Sequence, residues 1–177
     1  MSEPKFTIRS DGQFGADIGA LDAAIEFNET NKFFILEITG WCPKERKAEG
    51  AKIDKKYPLK ETTTKKYNQA IEQNIQDSDG TLILLLEGNN ADKETNYAIE
   101  KAIDFNKPSK TIILSKDSQE NIKNINQTLN WLKDTKIEHL NVKGPRESNT
   151  SGIGEKTHSF ILDLLKEISK DPDFFKK

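Results

Sequence analysis

Four short segments hold most of the residues in this chain that helices and strands do not need. They are Ser10-Asp11-Gly12-Gln13-Phe14-Gly15-Ala16-Asp17, Gly40-Trp41-Cys42-Pro43-Lys44, Asp77-Ser78-Asp79-Gly80-Thr81 and Gly144-Pro145-Arg146-Glu147-Ser148. The chemistry they suit is recognition of an anion. Gly12 and Gly15 let the backbone turn tightly just before a helix, where free N–H groups attract phosphate. The same kind of turn also occurs without a ligand, and Gly12-x-x-Gly15 is not the dinucleotide fingerprint. Arg146 with Ser148 can form an anion clamp. Trp41 can stack on a planar ring or anchor its loop on the core, and Lys44 or Arg46 can meet an anion.

Other chemistries find less support. Asp77-Ser78-Asp79-Gly80 reads first as a turn with aspartate caps, and paired carboxylates for hydrolysis are the minority reading. Cys42 has no nucleophile arrangement around it, because His139 falls in a strand and His158 in a helix. No spacing suits a metal, and no catalytic residue is assigned.

The elements that must position these segments follow from periodicity. Strands are expected at Phe6 to Arg9, Phe33 to Ile38, Thr81 to Leu86, Thr111 to Leu114 and Ile137 to Val142. Helices are expected from Asp17 (the N-cap) to Phe27, from Thr64 (capped by Thr63 or Thr64) to Gln76, and from Ala91 to Phe105. Two more run from Gln119 to Lys133 and from Ile153 to Ile168. Thr81 to Leu86 is the most apolar run and reads as the central strand. Residues after Ser169 are expected to fray. Residues 39–64 form a long loop, and Trp41, Ile53, Tyr57 and Leu59 give it apolar anchors that favour order. Strands alternating with helices imply a parallel sheet covered on both faces. The ligand pocket of such a sheet lies beyond the carboxyl ends of its strands, where the loops after the first, third and fifth strands emerge. This points to a small-molecule binder rather than a structural or nucleic-acid protein.

The bulk numbers agree. A chain of 177 residues is most simply one domain, 1–177, and its net charge of −2 attracts neither nucleic acid nor an anionic membrane. Cys42 to Lys66 holds nine Lys/Arg against four Asp/Glu, a net +5 that suits a solvated loop or an anion-attracting rim. The single cysteine rules out an internal disulfide and fits a reducing compartment. No apolar run approaches the roughly 20 residues of a membrane span, and the start carries no secretory signal, so a cytoplasmic location is expected.

Taken in order, the segments resemble the molybdenum cofactor carrier family. That family sits in a Rossmann-like superfamily with the lonely-guy phosphoribohydrolases and lysine-decarboxylase-like proteins. Ser10 to Asp17, continuing into Ala20-Leu21-Asp22-Ala23-Ala24, is similar to the family's Ser-Gly-Gly-Gln-Thr-Gly-Val-Asp and Ala-Leu-Asp-Ala-Ala. Thr39 to Gly50 is similar to Gly-Gly-Trp-Cys-Pro-Lys-Gly-Arg-Arg-Ala-Glu-Asp-Gly. Tyr57-Pro58-Leu59-Lys60-Glu61-Thr62 and Asn74 to Ile83 match further motifs. Leu140 to Ser148 is similar to Leu-Asn-Val-Ala-Gly-Pro-Arg-Glu-Ser. The match covers nearly the whole chain.

The resemblance implies a Rossmann-like three-layer α/β sandwich, with a central, mainly parallel sheet and helices on both faces. It implies a carrier that binds an anionic pterin, the molybdenum cofactor, or a related phosphorylated ligand without turnover, and that forms homo-oligomers. The residues it points to for binding are Gly12, Gln13, Phe14, Gly15, Trp41, Lys44, Thr95, Arg146 and Ser148. Departures from the pattern matter. Asp11 replaces a glycine and would repel phosphate unless it points away. Phe14 replaces a threonine. Lys93-Glu94-Thr95 stands for Gly-Gly-Thr, and Tyr97 stands where the superfamily's hydrolases place a catalytic glutamate. The alternatives are a phosphoribohydrolase-like enzyme, with Glu94 or Glu100 replacing that glutamate, and a degenerate protein that senses a nucleotide or mediates assembly.

Overall fold

The structure, a computed structural model, describes residues 3–176. Five parallel strands form its sheet: β1 (Lys5–Arg9), β2 (Ile35–Thr39), β3 (Gly80–Leu86), β4 (Ser109–Leu114) and β5 (His139–Lys143). They lie in the order β2-β1-β5-β3-β4. The helices are α1 (Ala16–Thr30), α2 (Tyr67–Gln76), α3 (Lys93–Asp104), α4 (Ser118–Thr135) and α5 (Ile153–Lys170). Alternate residues of β3 face opposite layers. Leu82 and Leu84 join the main core, which α1, α4 and α5 cover, while Ile83 packs with Ala98 and Ala102 of α3 and Ile71 and Ile75 of α2. This is the Rossmann-like α/β architecture that the resemblance implies. None of the described helices is long and apolar enough to cross a membrane.

Counted from β5 around the chain, the strand order reads 3-2-1-4-5, the order of a doubly wound sheet. In that count β5 takes the place of the first strand. The described ends of the chain lie together, as a permuted order requires. The rings of Phe6 and Phe174 stand 5.7 Å apart, and those of Phe34 and Phe175 stand 5.2 Å apart. The residues after Ser169 therefore pack on the core instead of fraying, because two aromatic side chains gain more from burial than the tail loses in freedom.

Three other expectations are corrected. The central strand is β5, not the apolar β3. A strand one place from the centre is covered on both faces just as fully, so apolarity does not rank the inner positions. The central strand instead carries buried Asn141 and Lys143. The N-cap of α1 is Gly15 rather than Asp17, whose carboxylate has another use. Helix α2 starts at Tyr67, because Thr63 and Thr64 bracket the Gln69 amide ahead of it.

The long loop is ordered. Trp41–Cys42 pairs with Lys60–Glu61, and Lys47–Ala48 pairs with Ala51–Lys52. Arg46 donates to the carbonyls of Ile53, Asp54, Tyr57 and Leu59. Its guanidinium is therefore an organiser of the loop rather than an anion receptor. Ile53, Tyr57 and Leu59 pack with Leu21 and Cys42, and Tyr57 Oη donates to Asp22 at 2.7 Å.

Candidate anion-binding site

The loops after β1 and β5 meet at the carboxyl end of the sheet. Ala16 N–H donates to Pro145 O at 3.1 Å and Glu147 N–H to Phe14 O at 2.9 Å, so Gly15 and Arg146 form an antiparallel bridge. Gly15 has φ 128°, and a Cβ there would lie 2.5 Å from Pro145 O. Only glycine allows this approach. Gly12 is covered by the long loop, with Leu59 and Ile53 against its Cα, and its N–H donates to Ser10 Oγ at 3.1 Å. Phe14 is half-buried against the Leu21–Tyr57 cluster. The strand-one loop is thus a packed joint, and its Gly12 N–H is already used.

Beneath the joint lies a buried charge cluster. Lys143 ends β5 with its ammonium 2.7 Å from Asp17 Oδ2 and 3.3 Å from both Asp11 oxygens. The side chains are only 3%, 2% and 1% exposed for Lys143, Asp11 and Asp17 respectively. Asp17 Oδ1 also accepts the Gly144 N–H at 3.2 Å. Asp11 therefore turns inward, away from any ligand at the sheet's mouth. Lys143 stands where the resembled pattern has alanine, and Asp11 where it has glycine. The two departures compensate each other in charge and fill one space. Burial and the facing Asp11 charge hold Asp17 well above the ordinary carboxylate range. Burial also opposes ionisation of Asp11, but the Lys143 ammonium and the hydrogen bonds from Asp17 and Lys143 outweigh it and lower Asp11. The two carboxyls therefore titrate as a pair, with Asp17 the harder to ionise.

Arg146 stands above this cluster with its guanidinium 4.4 Å from the centre of the Tyr67 ring. Its side chain is 14% exposed. The Nε and Nη2 groups are buried without a hydrogen-bond partner. Glu94 Oε1 approaches Nη2 at 3.5 Å and Glu49 Oε2 approaches Nη1 at 3.8 Å. Gln13, 1% exposed, donates through Nε2 to Lys47 O at 3.1 Å and leaves Oε1 unpartnered. The Lys47 ammonium lies 4.9 Å from the same Tyr67 ring, so Gln13, Lys47, Tyr67 and Arg146 form one chain of contacts. Of the six buried side-chain atoms that lack partners among the described residues, three belong to Arg146 and Gln13. Each such atom costs roughly 1–3 kcal/mol, more on a charged group, unless something binds it.

Asp92 locks the neighbouring loops. Its Oδ1 accepts the Thr95 N–H and hydroxyl, and its Oδ2 accepts the Arg146 N–H at 2.9 Å and Asn149 Nδ2 at 3.1 Å. Both Thr95 donors therefore cap α3. Burial opposes ionisation of Asp92, but these hydrogen bonds outweigh it and keep its pKa below the usual carboxylate range.

The remaining expected residues are spread around this centre. Ser148 donates to Glu49 Oε2 at 2.7 Å. Trp41 is tied to the end of α2, through Asn74 on its backbone and Asp77 on its indole at 2.8 Å. It anchors its loop there. Lys44 is exposed, and its N–H donates to Thr64 O. Asp79 Oδ2 accepts the N–H groups of Glu138 and His139, in keeping with a turn at the opposite end of β3. Burial pushes the Cys42 thiol up to about 11. Among the described residues no group of three His, Cys, Asp or Glu side chains is placed to hold a metal. Two cavities lie elsewhere, one of about 630 Å³ between α4 and α5 and one of about 650 Å³ beside Asp79 and Phe174. Tyr67, Glu49, Asp92 and Lys143 were missed in the sequence. A usable signal existed only for Lys143 and Asp11, as opposite charges in two neutral positions of one pattern.

Comparisons with known proteins bear on the fold and the family. A solved protein from Syntrophus aciditrophicus, named "Putative molybdenum carrier protein", is 32% identical with a TM-score of 0.77, over 93% of this chain and 96% of that one. No curated protein matches. The model of the circularly permutated YpsA SLOG family matches residues 8–165, in keeping with the permuted strand order. The chain belongs to the circularly permutated YpsA SLOG family.

Proposed function

We propose that this protein is a molybdenum carrier of the kind its solved relative is named for. It binds an anionic pterin, or a related phosphorylated ligand, at the carboxyl ends of β1, β5 and β3 without turnover. The observation that carries this reading is Arg146, a largely buried guanidinium with two unpartnered donors in the loop after the central strand. The donor set suits the phosphate of such a cofactor, and the unpartnered Gln13 acceptor suits an N–H or O–H of the same molecule. Arg146 and Gln13 would hold the ligand beside Tyr67, with Ser148 at the rim. Gly12, Phe14, Gly15, Trp41, Lys44 and Thr95 would support the surrounding loops.

The test is a thermal-shift and calorimetric titration with molybdenum cofactor, molybdate, phosphate and nucleoside monophosphates. Cofactor-dependent stabilisation that Arg146→Ala abolishes is expected. Stabilisation by none of them would overturn the reading. Glu94, the carboxylate beside Arg146, favours the phosphoribohydrolase-like alternative. Release of free base from a nucleoside monophosphate, lost in Glu94→Gln, would select it.

A further inference from the structure

Nε and Nη2 of Arg146 lie on the same edge of the guanidinium, so the two unpartnered donors make one complete side-on fork. Such a fork matches two oxygens of a single phosphate or carboxylate group. The carboxylates around it differ in what they can do. Asp92 is fully engaged, with four donors on its two oxygens. Glu49 sits on the far Nη1 and is held by Ser148. Glu94 alone faces the fork, 3.5 Å from Nη2, and makes an ion pair without a hydrogen bond. It projects from the first turn of α3, and its side chain is partly exposed.

We infer that the Arg146 fork is a receptor for a phosphate monoester terminus and that Glu94 is its displaceable internal counter-ion, setting the affinity. The inference rests on the anion-binding reading above. A ligand must outcompete Glu94, which a dianionic monoester does better than a monoanionic diester. A monoester also offers more unesterified oxygens to the fork. Glu94 leaves the fork by side-chain rotation alone, whereas Asp92 cannot leave without uncapping α3 and releasing the loop after β5.

The experiment is isothermal titration of the full chain with inorganic phosphate, methyl phosphate and dimethyl phosphate. It compares the parent with Glu94→Gln, Arg146→Lys and Arg146→Ala, with circular dichroism confirming that each is folded. The expected result is that Glu94→Gln tightens methyl phosphate by about tenfold and leaves its preference over dimethyl phosphate at least as large. Arg146→Lys, which keeps the charge but loses the fork, weakens binding by about tenfold. If phosphate binds in an Arg146-dependent way but Glu94→Gln binds it no tighter, the counter-ion role is overturned and the anion site stands. If Arg146→Lys binds as well as the parent, the fork is overturned. If no variant, Glu94→Gln included, binds any of the three, the anion-binding reading falls together with the inference.

Discussion

Replacing Lys143 by methionine tests the buried cluster most directly. Methionine keeps most of the apolar stem and removes the ammonium that Asp11 and Asp17 share at 2.7–3.3 Å. Breaking a buried ion pair from one side costs about 3–5 kcal/mol, because the remaining charge is stranded. A second route gives the same size. If one stranded carboxyl takes up a proton at pH 7, three units above its unfolded value near 4, the cost is about 4 kcal/mol. That is a large share of the 5–15 kcal/mol that typically holds a domain together. The assay is urea unfolding at pH 7 followed by circular dichroism and tryptophan fluorescence, with Asp11→Asn and the double variant completing a cycle. Asp11→Asn alone should cost far less, since Asp17 still pairs with Lys143. The double variant should be more stable than the sum of the singles predicts by about 2 kcal/mol. The pH dependence has a definite sign. Without the ammonium, the folded carboxyls titrate above their unfolded values, whereas Asp11 in the parent titrates below its own, so the loss is smallest in acid, below the lowered Asp11 value, and grows as pH rises. A loss under about 1 kcal/mol at pH 7, or singles that add within about 0.5 kcal/mol, would refute the reasoning.

Two further outcomes are expected. Asp92→Asn places an amide donor against donors already in place, and should destabilise the protein by about 1–3 kcal/mol at pH 7. Because the Asp92 pKa is lowered in the fold, its contribution is present above the unfolded carboxylate range and lost as pH falls through the lower folded value. The gap between parent and variant in pH-dependent unfolding should therefore close in acid, and a gap unchanged down to pH 2 would count against the assignment. Cys42, fully buried with its thiol pushed up to about 11, should react with a thiol dye about 100-fold or more slowly than in urea. Equal rates would show that the loop opens freely.

Reading this protein from sequence works where the cause is local. The apolar runs, the turn residues between them and the helical spacing of Ile122, Ile125, Leu129 and Leu132 depend on neighbours a few positions away. They therefore disclosed the five strands, the five helices and the end of the sheet where Arg146 lies. The order of the strands was not legible in this way. Whether β3 or β5 is central depends on how far each crossover travels, and an inner strand is covered on both faces whichever inner position it takes. The orientation of Asp11 was hidden for a related reason, since its partner Lys143 is 132 positions away and meets it only because β5 inserts beside β1. Tyr67 under Arg146 and Asp92 behind it have the same character, because each is an unremarkable residue until the sheet brings three loops to one place. Residue types and spacing alone determined the class of fold and the end of the sheet at which the glycine-bearing turns and Arg146 gather. Tertiary structure decided which polar groups are spent on one another and which are left without a partner, because hydrogen-bond partners are assigned by distance in space rather than along the chain.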